Sequence, residues 1–330
     1  MHYRCSIYGL GVTANRTIPG VPPSKIASED LHITFGSLPG WLDQIRDAEI
    51  EISYVADYQS DCGEPALRVF RLLGGAFYKF CYSDQTEFVV DQAGAEIWAK
   101  WVEPLTIEDT ATYLLGPVLG FVMLLRGIVC LHASAIAVGD KAIALLGPAG
   151  AGKSTTAAAF STLGYGILAE DVVTLDDGGD QFLARPGYPC IRLWPAAVAA
   201  LYGSETQLPL LTPNWNKRYL ELTNQFRREP LPLAAIYHLA ERCDDSAAPF
   251  VERLDQQQGL LALIANTYAT KLMDKQMRAR EFELLTRVWS NVPVRRVTPN
   301  ADPNRIPELC DCILKDFERS REKAFSRSGA

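Results

Sequence analysis

The stretch Gly147-Pro148-Ala149-Gly150-Ala151-Gly152-Lys153-Ser154 fits the pattern GxxxxGK[ST] at every fixed position. An apolar strand, residues 141–146, runs into it. An alanine-rich helix, residues 153–163, leaves it and is closed by Gly164. Strand, glycine-rich loop and helix in this order constrain the fold more than any other segment. The loop must turn its backbone N–H groups inward at a helix start, where the helix dipole adds positive potential. The result is a cradle for phosphate. In such a cradle Lys153 reaches the terminal phosphates of a nucleotide and the Ser154 hydroxyl ligates Mg²⁺. Gly147, Pro148, Ala149, Gly150, Ala151, Gly152, Lys153, Ser154 and Thr155 are therefore the candidate nucleotide-binding residues, which makes ATP and Mg²⁺ the expected cofactors.

A phosphate cradle needs an acid for the metal or for a proton. Glu170-Asp171 follows the short strand Ile167-Leu168-Ala169 and precedes Val172-Val173. Acids flanked by apolar residues on both sides are held near the interior and need partners there. One can hold the metal and the other can take a proton from an attacking hydroxyl, and either assignment fits the residue types. His132 lies on the strand before the phosphate loop, which reads as residues 129–138 and turns at Gly139-Asp140. Antiparallel pairing puts His132 either well down the returning strand or at its phosphate-loop end. Spacing alone leaves it a core histidine or a site residue.

Composition narrows the partners. The chain has 330 residues, 48% hydrophobic and 22% charged, enough apolar material for a large core and too much for a disordered chain. A net charge of -7 argues against nucleic acid, which selects basic surfaces. Cys5, Cys62, Cys81, Cys130, Cys190, Cys243, Cys310 and Cys312 include no CxxC pair and no zinc spacing with His. With no signal-peptide pattern at Met1-His2-Tyr3-Arg4, the expectation is a cytoplasmic protein with reduced thiols. The uncharged run from Ala111 to Leu125 is 15 residues long and contains Gly116-Pro117. It is shorter than the ~20 apolar residues a membrane span needs, so a buried core helix is expected and no membrane partner.

The first hundred residues read as β-rich. Residues 49–54 alternate with period two, 67–72 and 77–82 form a hairpin across Gly74-Gly75, and 86–90 follow as another strand. Thr106-Ile107-Glu108-Asp109 is a helix start with a capping side chain and first-turn acids. Residues 232–239 read as a strand and 260–289 as mostly helical. The expected organisation is a β-rich domain over 1–105, an α/β catalytic domain over 106–314, and a charged tail over 315–330 that frays.

Taken together, Leu131-His132-Ala133-Ser134, the Gly139 turn, the loop from Gly147 to Thr155 and Ala169-Glu170-Asp171-Val172-Val173 resemble the catalytic domain of HPr kinase/phosphorylase. Pro186-Gly187-Tyr188-Pro189, Ile191-Arg192-Leu193-Trp194-Pro195, Lys217-Arg218-Tyr219 and Asn266-Thr267-Tyr268 look more specifically like the related kinases of lasso peptide clusters. The resemblance covers residues 128–300. It implies a P-loop kinase domain of the HPr kinase type, similar to phosphoenolpyruvate carboxykinase, with the β-rich domain added in front. It also implies that Asp171 is the catalytic base, that His132 assists beside the transferring phosphoryl group, and that Ser154, Glu170 and Asp171 serve the metal. Glu170 stands where the family usually has Asp. Thr155 stands where the family has a Glu that helps with metal, which places the reverse, phosphorolytic reaction in question.

The implied activity is ATP-dependent phosphorylation of a Ser hydroxyl on a ribosomal precursor peptide. A kinase of a small hydroxylated molecule or of another protein, and a peptide-binding protein switched by ATP, are the alternatives. Arg192, Lys217 and Arg218 are candidate substrate clamps, since Arg offers a fork for phosphate or carboxylate. Residues 271–296 hold seven basic and three acidic residues, a solvated helix face or a docking face for an acidic peptide. An exposed sheet edge in the β-rich domain could take an extended peptide. The oligomeric state stays open.

Overall fold

The computed structural model describes residues 2–60 and 63–328. Cys62 and the end of the expected tail, 329–330, lie outside the described residues. The chain divides into two compact units. One comprises Met1–Ile128, Leu211–Trp215 and Tyr268–Arg280, and the other Val129–Leu210, Asn216–Thr267 and Glu281–Ala330.

The first unit is built on one eight-stranded sheet. Its strands are β1 (Tyr3–Ile7), β2 (Leu10–Ala14), β3 (Leu31–Phe35), β4 (Ile50–Val55), β5 (Leu67–Leu72), β6 (Phe77–Tyr82), β7 (Glu87–Asp91) and β8 (Glu96–Lys100). The order across the sheet is β1-β2-β3-β8-β7-β6-β5-β4. The alternation read in the sequence gives β5 and β6 their half-buried pattern, and they pair antiparallel from Leu67↔Tyr82 to Leu72↔Phe77. β4 is an edge strand and leaves Ile52 63% exposed.

Helix α1 (Ile107–Leu125) belongs to this unit rather than to the α/β unit in which the sequence placed it. It starts in a capping box of Thr106 and Asp109. It widens to a π turn over Leu114–Val118, which accommodates Pro117, a residue without the N–H that an ordinary turn would use. By length and composition α1 could cross a membrane, yet 78% of its apolar window is buried inside the structure. Phe121 packs edge-on against Tyr78 and Phe80 of β6, which accounts for the grouping. Burial of that one ring contributes about 2–3 kcal/mol.

The second unit is a three-layer α/β arrangement. The strands from here on are β9 (Val129–Leu131), β10 (Ala133–Val138), β11 (Lys141–Leu146), β12 (Gly166–Ala169), β13 (Val173–Asp177), β14 (Phe182–Ala184), β15 (Cys190–Leu193), β16 (Leu210–Thr212), β17 (Trp215–Glu221), β18 (Leu231–Leu239), β19 (Phe250–Arg253) and β20 (Val294–Thr298), all but β16 lying wholly or mainly in this unit. The main sheet runs β12-β10-β11-β18-β14-β13-β9, with β20 parallel to β18 and β19 antiparallel to β20. Helices α2 (Lys153–Thr162), α3 (Pro195–Tyr202), α4 (Gln256–Ala265), α5 (Lys275–Asn291) and α6 (Ile306–Ser328) follow in chain order. One sheet face packs on Ala157, Ala158 and Phe160 of α2 and on Leu309, Cys310, Ile313 and Phe317 of α6. The other packs on Leu263 of α4 and Leu285 and Val288 of α5.

Three expectations change. The single strand expected over 129–138 is two strands that break at His132. β9 pairs with β13 while β10 pairs with β11 and β12, and the His132 N–H leaves the ladder to meet the Asn266 carbonyl oxygen at 2.7 Å. The segment expected to fray from 315 continues as helix, because Phe317 is buried in the core and Asp316 accepts a hydrogen bond from Tyr237. The basic stretch 271–296 is not one face: Lys271 pairs with Asp57, Arg287 with Asp177, and Arg295 sits buried on β20 beside Asp316.

Candidate active site

The glycine-rich loop from Gly147 to Gly152, the candidate phosphate loop, joins β11 to α2. Gly147 has φ 147°, and a Cβ there would lie 2.9 Å from the Leu239 carbonyl oxygen, so only glycine fits. Gly152, at φ 103°, is the residue from which α2 starts. The Lys153 ammonium folds back over the loop and donates to the carbonyl oxygens of Gly147 at 2.6 Å and Pro148 at 3.1 Å. Burial pulls its pKa down, against the opposing pull of Asp171 and Glu170.

Register fixes His132. Ala133 pairs with Leu146, so His132 stands at the phosphate-loop end of the hairpin. Its Nε2 lies 3.4 Å from Asp171 Oδ1.

Glu170 and Asp171 fill the connection between β12 and β13. The Val172 N–H donates to the Glu170 carbonyl oxygen at 2.9 Å, and Asp171 between them has φ 68°. This closes a tight turn of the rarer, strained hand, at a buried site between strands whose flanking residues Leu168, Ala169, Val172 and Val173 are all in the core. The turn aims the two carboxylates at the loop. Ser154 Oγ donates to Glu170 Oε1 at 2.6 Å. Arg192, on β15, donates from Nη2 to Asp171 Oδ2 at 2.6 Å, and its Nε is 3.8 Å from Glu170 Oε2.

The two acids are driven apart. Burial acts to raise Asp171, but Arg192 and His132 overcome it and hold the carboxyl well below its ordinary range. Burial, with the Asp171 charge next to it, pushes Glu170 up. Adjacent carboxylates with opposed shifts, Glu170 buried and Asp171 partly open, are the pattern of an acid and base pair.

The candidate substrate residues Arg192, Lys217 and Arg218 separate. Strand alternation on β17 puts Lys217 on the same side as Tyr219, which lies opposite Arg192, whereas Arg218 lies opposite Leu193 and faces the other way. Lys217 is depressed by burial and by Arg192, and its ammonium sits 4.9 Å over the ring of Trp194, which is 60% exposed. The structure therefore brings Arg192 and Lys217 toward the acids and leaves Arg218 out.

Several site residues carry little signal in the sequence. Asn266, at the end of α4, is buried. Its Oδ1 accepts the Gly147 N–H at 3.0 Å while its carbonyl oxygen accepts the His132 N–H, so one residue fixes both the phosphate loop and the histidine. The only hint was its place in Asn266-Thr267-Tyr268. Arg242, past the end of β18, brings Nη2 to 3.0 Å from the position a Cβ on Gly152 would take. His238, on β18, is depressed by burial, by Arg296 and by Lys153.

The donor set suits a nucleotide with its metal. Glu170 Oε2 is buried without a hydrogen bond, beside Glu170 Oε1 and Ser154 Oγ, and a hard cation takes such oxygens. Among the described residues no three His, Cys, Asp or Glu side chains gather around one point. A metal of the Mg²⁺ kind needs only one or two carboxylates, since phosphate oxygens and water complete its shell.

No family model and no curated protein matches the chain. Among solved structures it is similar to an Hpr(Ser) kinase/phosphatase from Coxiella burnetii, at 13% identity and a TM-score of 0.34, over 61% of this chain and 96% of that one. The chemistry of the site rests on its own geometry.

Proposed function

We propose that the chain is an ATP- and Mg²⁺-dependent kinase that phosphorylates a Ser hydroxyl on a peptide, a ribosomally made precursor by the resemblance of its motifs. The observation that carries this reading is the meeting of the phosphate loop with Asp171, an ionised carboxylate between His132 and Arg192.

A bound Mg²⁺ nucleotide supplies the phosphoryl group and neutralises charge on it. Ser154 and Glu170 are the residues that would hold the metal, which would offset charge on the phosphates. The residues from Gly147 to Thr155 bind the phosphates, with Lys153 released from its carbonyl partners to meet them. Asp171 orients the acceptor hydroxyl and takes its proton on a carboxylate oxygen. His132 steadies that carboxylate. Arg192 and Lys217 present positive charge on the acceptor side, with the exposed Trp194 ring next to them. Within the first unit the edge strand β4 offers main-chain groups to which an extended peptide would add. A net charge of -7 supports a partner other than nucleic acid. Seven free cysteines among the described residues fit a reducing, cytoplasmic setting.

The test is incubation with ATP and Mg²⁺, alone and with a Ser-containing precursor-type peptide or free serine, following ADP and acceptor mass. The peptide should gain one phosphoryl group much faster than free serine, and Lys153→Ala should abolish the gain with an unchanged circular dichroism spectrum. Equal turnover of free serine would replace the peptide reading with that of a small-molecule kinase. ADP release with every acceptor unmodified would replace it with that of an ATP-driven switch.

A further inference from the structure

A second concentration of positive charge lies in the α/β unit, two strands from β11 and sharing no residue with the site above. β19 and β20 pair antiparallel with Arg253 directly opposite Arg295. Residues opposite one another in such a pair point to the same side, and like charges placed so repel. Val251 and Val297, two residues along each strand, belong to the core on the α6 face, so both guanidinium groups point toward α6. There they meet Arg319, which with Asp316 and Ser320 forms one face of that helix.

The three arginines line a cavity of about 200 Å³ together with Val251, Glu252, Asp316 and Ser320. Arg295 is only 8% exposed. Its Nε is 2.9 Å from Asp316 Oδ2 and its Nη2 donates to Ser320 Oγ at 2.7 Å. Asp316 Oδ2 also accepts the Tyr237 hydroxyl at 2.9 Å. Asp316 is thus already engaged, as acceptor of the Tyr237 hydroxyl and as the ion-pair partner of Arg295. Glu252 lies opposite Arg296 in the register, on the other side of the ribbon. Arg253 and Arg319 make no hydrogen bond or ion pair among the described residues. With three arginines against Asp316 and Glu252 the lining carries an excess of positive charge, and the buried Arg295 gives the cavity a fixed wall.

We propose that this cavity binds a compact phosphate-type oxyanion, inorganic phosphate or the diphosphate of a small molecule, on Arg253, Arg295 and Arg319. Guanidinium forks match tetrahedral oxyanions with paired N–H donors. An anion here removes the repulsion between the opposed arginines and ties β19 to α6. The inference stands apart from the transfer reaction.

The experiment uses the full chain carrying Lys153→Ala, which silences the phosphate loop. Inorganic phosphate and pyrophosphate are titrated by calorimetry, with thermal unfolding in parallel. Saturable binding and a raised Tm in this background are expected. Arg253→Gln and Arg319→Gln added singly should each weaken binding about tenfold or more, as the loss of a charge-assisted hydrogen bond does. Both side chains are solvent-facing, and the Tm without anion reports whether either variant has lost its fold. The preferred anion of the two gives the size of the natural ligand. No binding after Lys153→Ala alone, or an affinity untouched by both arginine substitutions, overturns the proposal.

Discussion

Replacing Glu170 by Gln and Asp171 by Asn should move stability in opposite directions. Asp171 is held below its ordinary pKa in the folded chain, with Arg192 and His132 outweighing burial. Its charge therefore stabilises the fold at every pH above the unfolded value, and that contribution is lost as pH falls through the folded value. Glu170 is raised by burial and by Asp171, so its ionisation destabilises the fold above its folded pKa and the penalty vanishes below the unfolded value. At neutral pH Glu170→Gln should raise Tm and Asp171→Asn should lower it. The Glu170→Gln gain should fade as the pH is taken down from the raised folded pKa of Glu170 to the ordinary carboxylate value. Asn is the fair replacement at 171, because it tolerates φ 68° where most residues do not. A Glu170→Gln protein less stable than wild type at pH 7 contradicts this account of the pair. The pair itself was legible, since two adjacent acids between apolar runs must sit where partners meet their charge. Its partner Arg192 was less so: it stands 21 residues beyond Asp171, and no pattern in that interval predicts the contact.

Among the elements, those with local causes were readable in the sequence. β5 and β6 follow from alternation, the start of α1 from Thr106 and Asp109, and α2 from the glycine loop before it. What sequence could not supply was the pairing between distant segments. His132 reaches the loop only through the register of β10 against β11. Asn266 meets Gly147 across 119 residues, with no periodicity to announce it. That contact gives a prediction for α4. In Asn266→Ala the Gly147 N–H is left buried without its acceptor, a cost of about 1–3 kcal/mol. Part of that cost should be read as a loosened phosphate loop. KM for ATP should rise and Tm should fall, while Asn266→Asp, which keeps the acceptor oxygen, should recover much of the KM. An Asn266→Ala enzyme with an unchanged KM for ATP means that the side chain serves the α4 terminus alone, where its Nδ2 donates to the Ala262 carbonyl oxygen.

For the molecule as a whole, neither unit is one continuous stretch of chain. The first gathers Leu211–Trp215 and Tyr268–Arg280 onto its N-terminal 128 residues, and a boundary at 105 cuts α1 from the sheet that buries it. Composition shifts suggest where a β-rich region ends but not which sheet a following helix covers. A chain beginning at residue 106 should therefore aggregate, with Phe121 and its apolar neighbours on α1 exposed, and should not serve as a minimal kinase. A soluble, monodisperse 106–330 protein with full transfer activity would show that α1 does not depend on the sheet.

The most direct measurement compares transfer with nucleotide binding in Asp171→Asn. If Asp171 takes the proton from the acceptor hydroxyl, phosphoryl transfer to the peptide, read by mass, should fall about 10²–10⁴-fold. ATP affinity, read by calorimetry on the same protein, should stay within a few-fold of wild type. An Asp171→Asn enzyme that phosphorylates the peptide at the wild-type rate, or that loses rate and ATP affinity in equal measure, contradicts the claim that this carboxylate is the base.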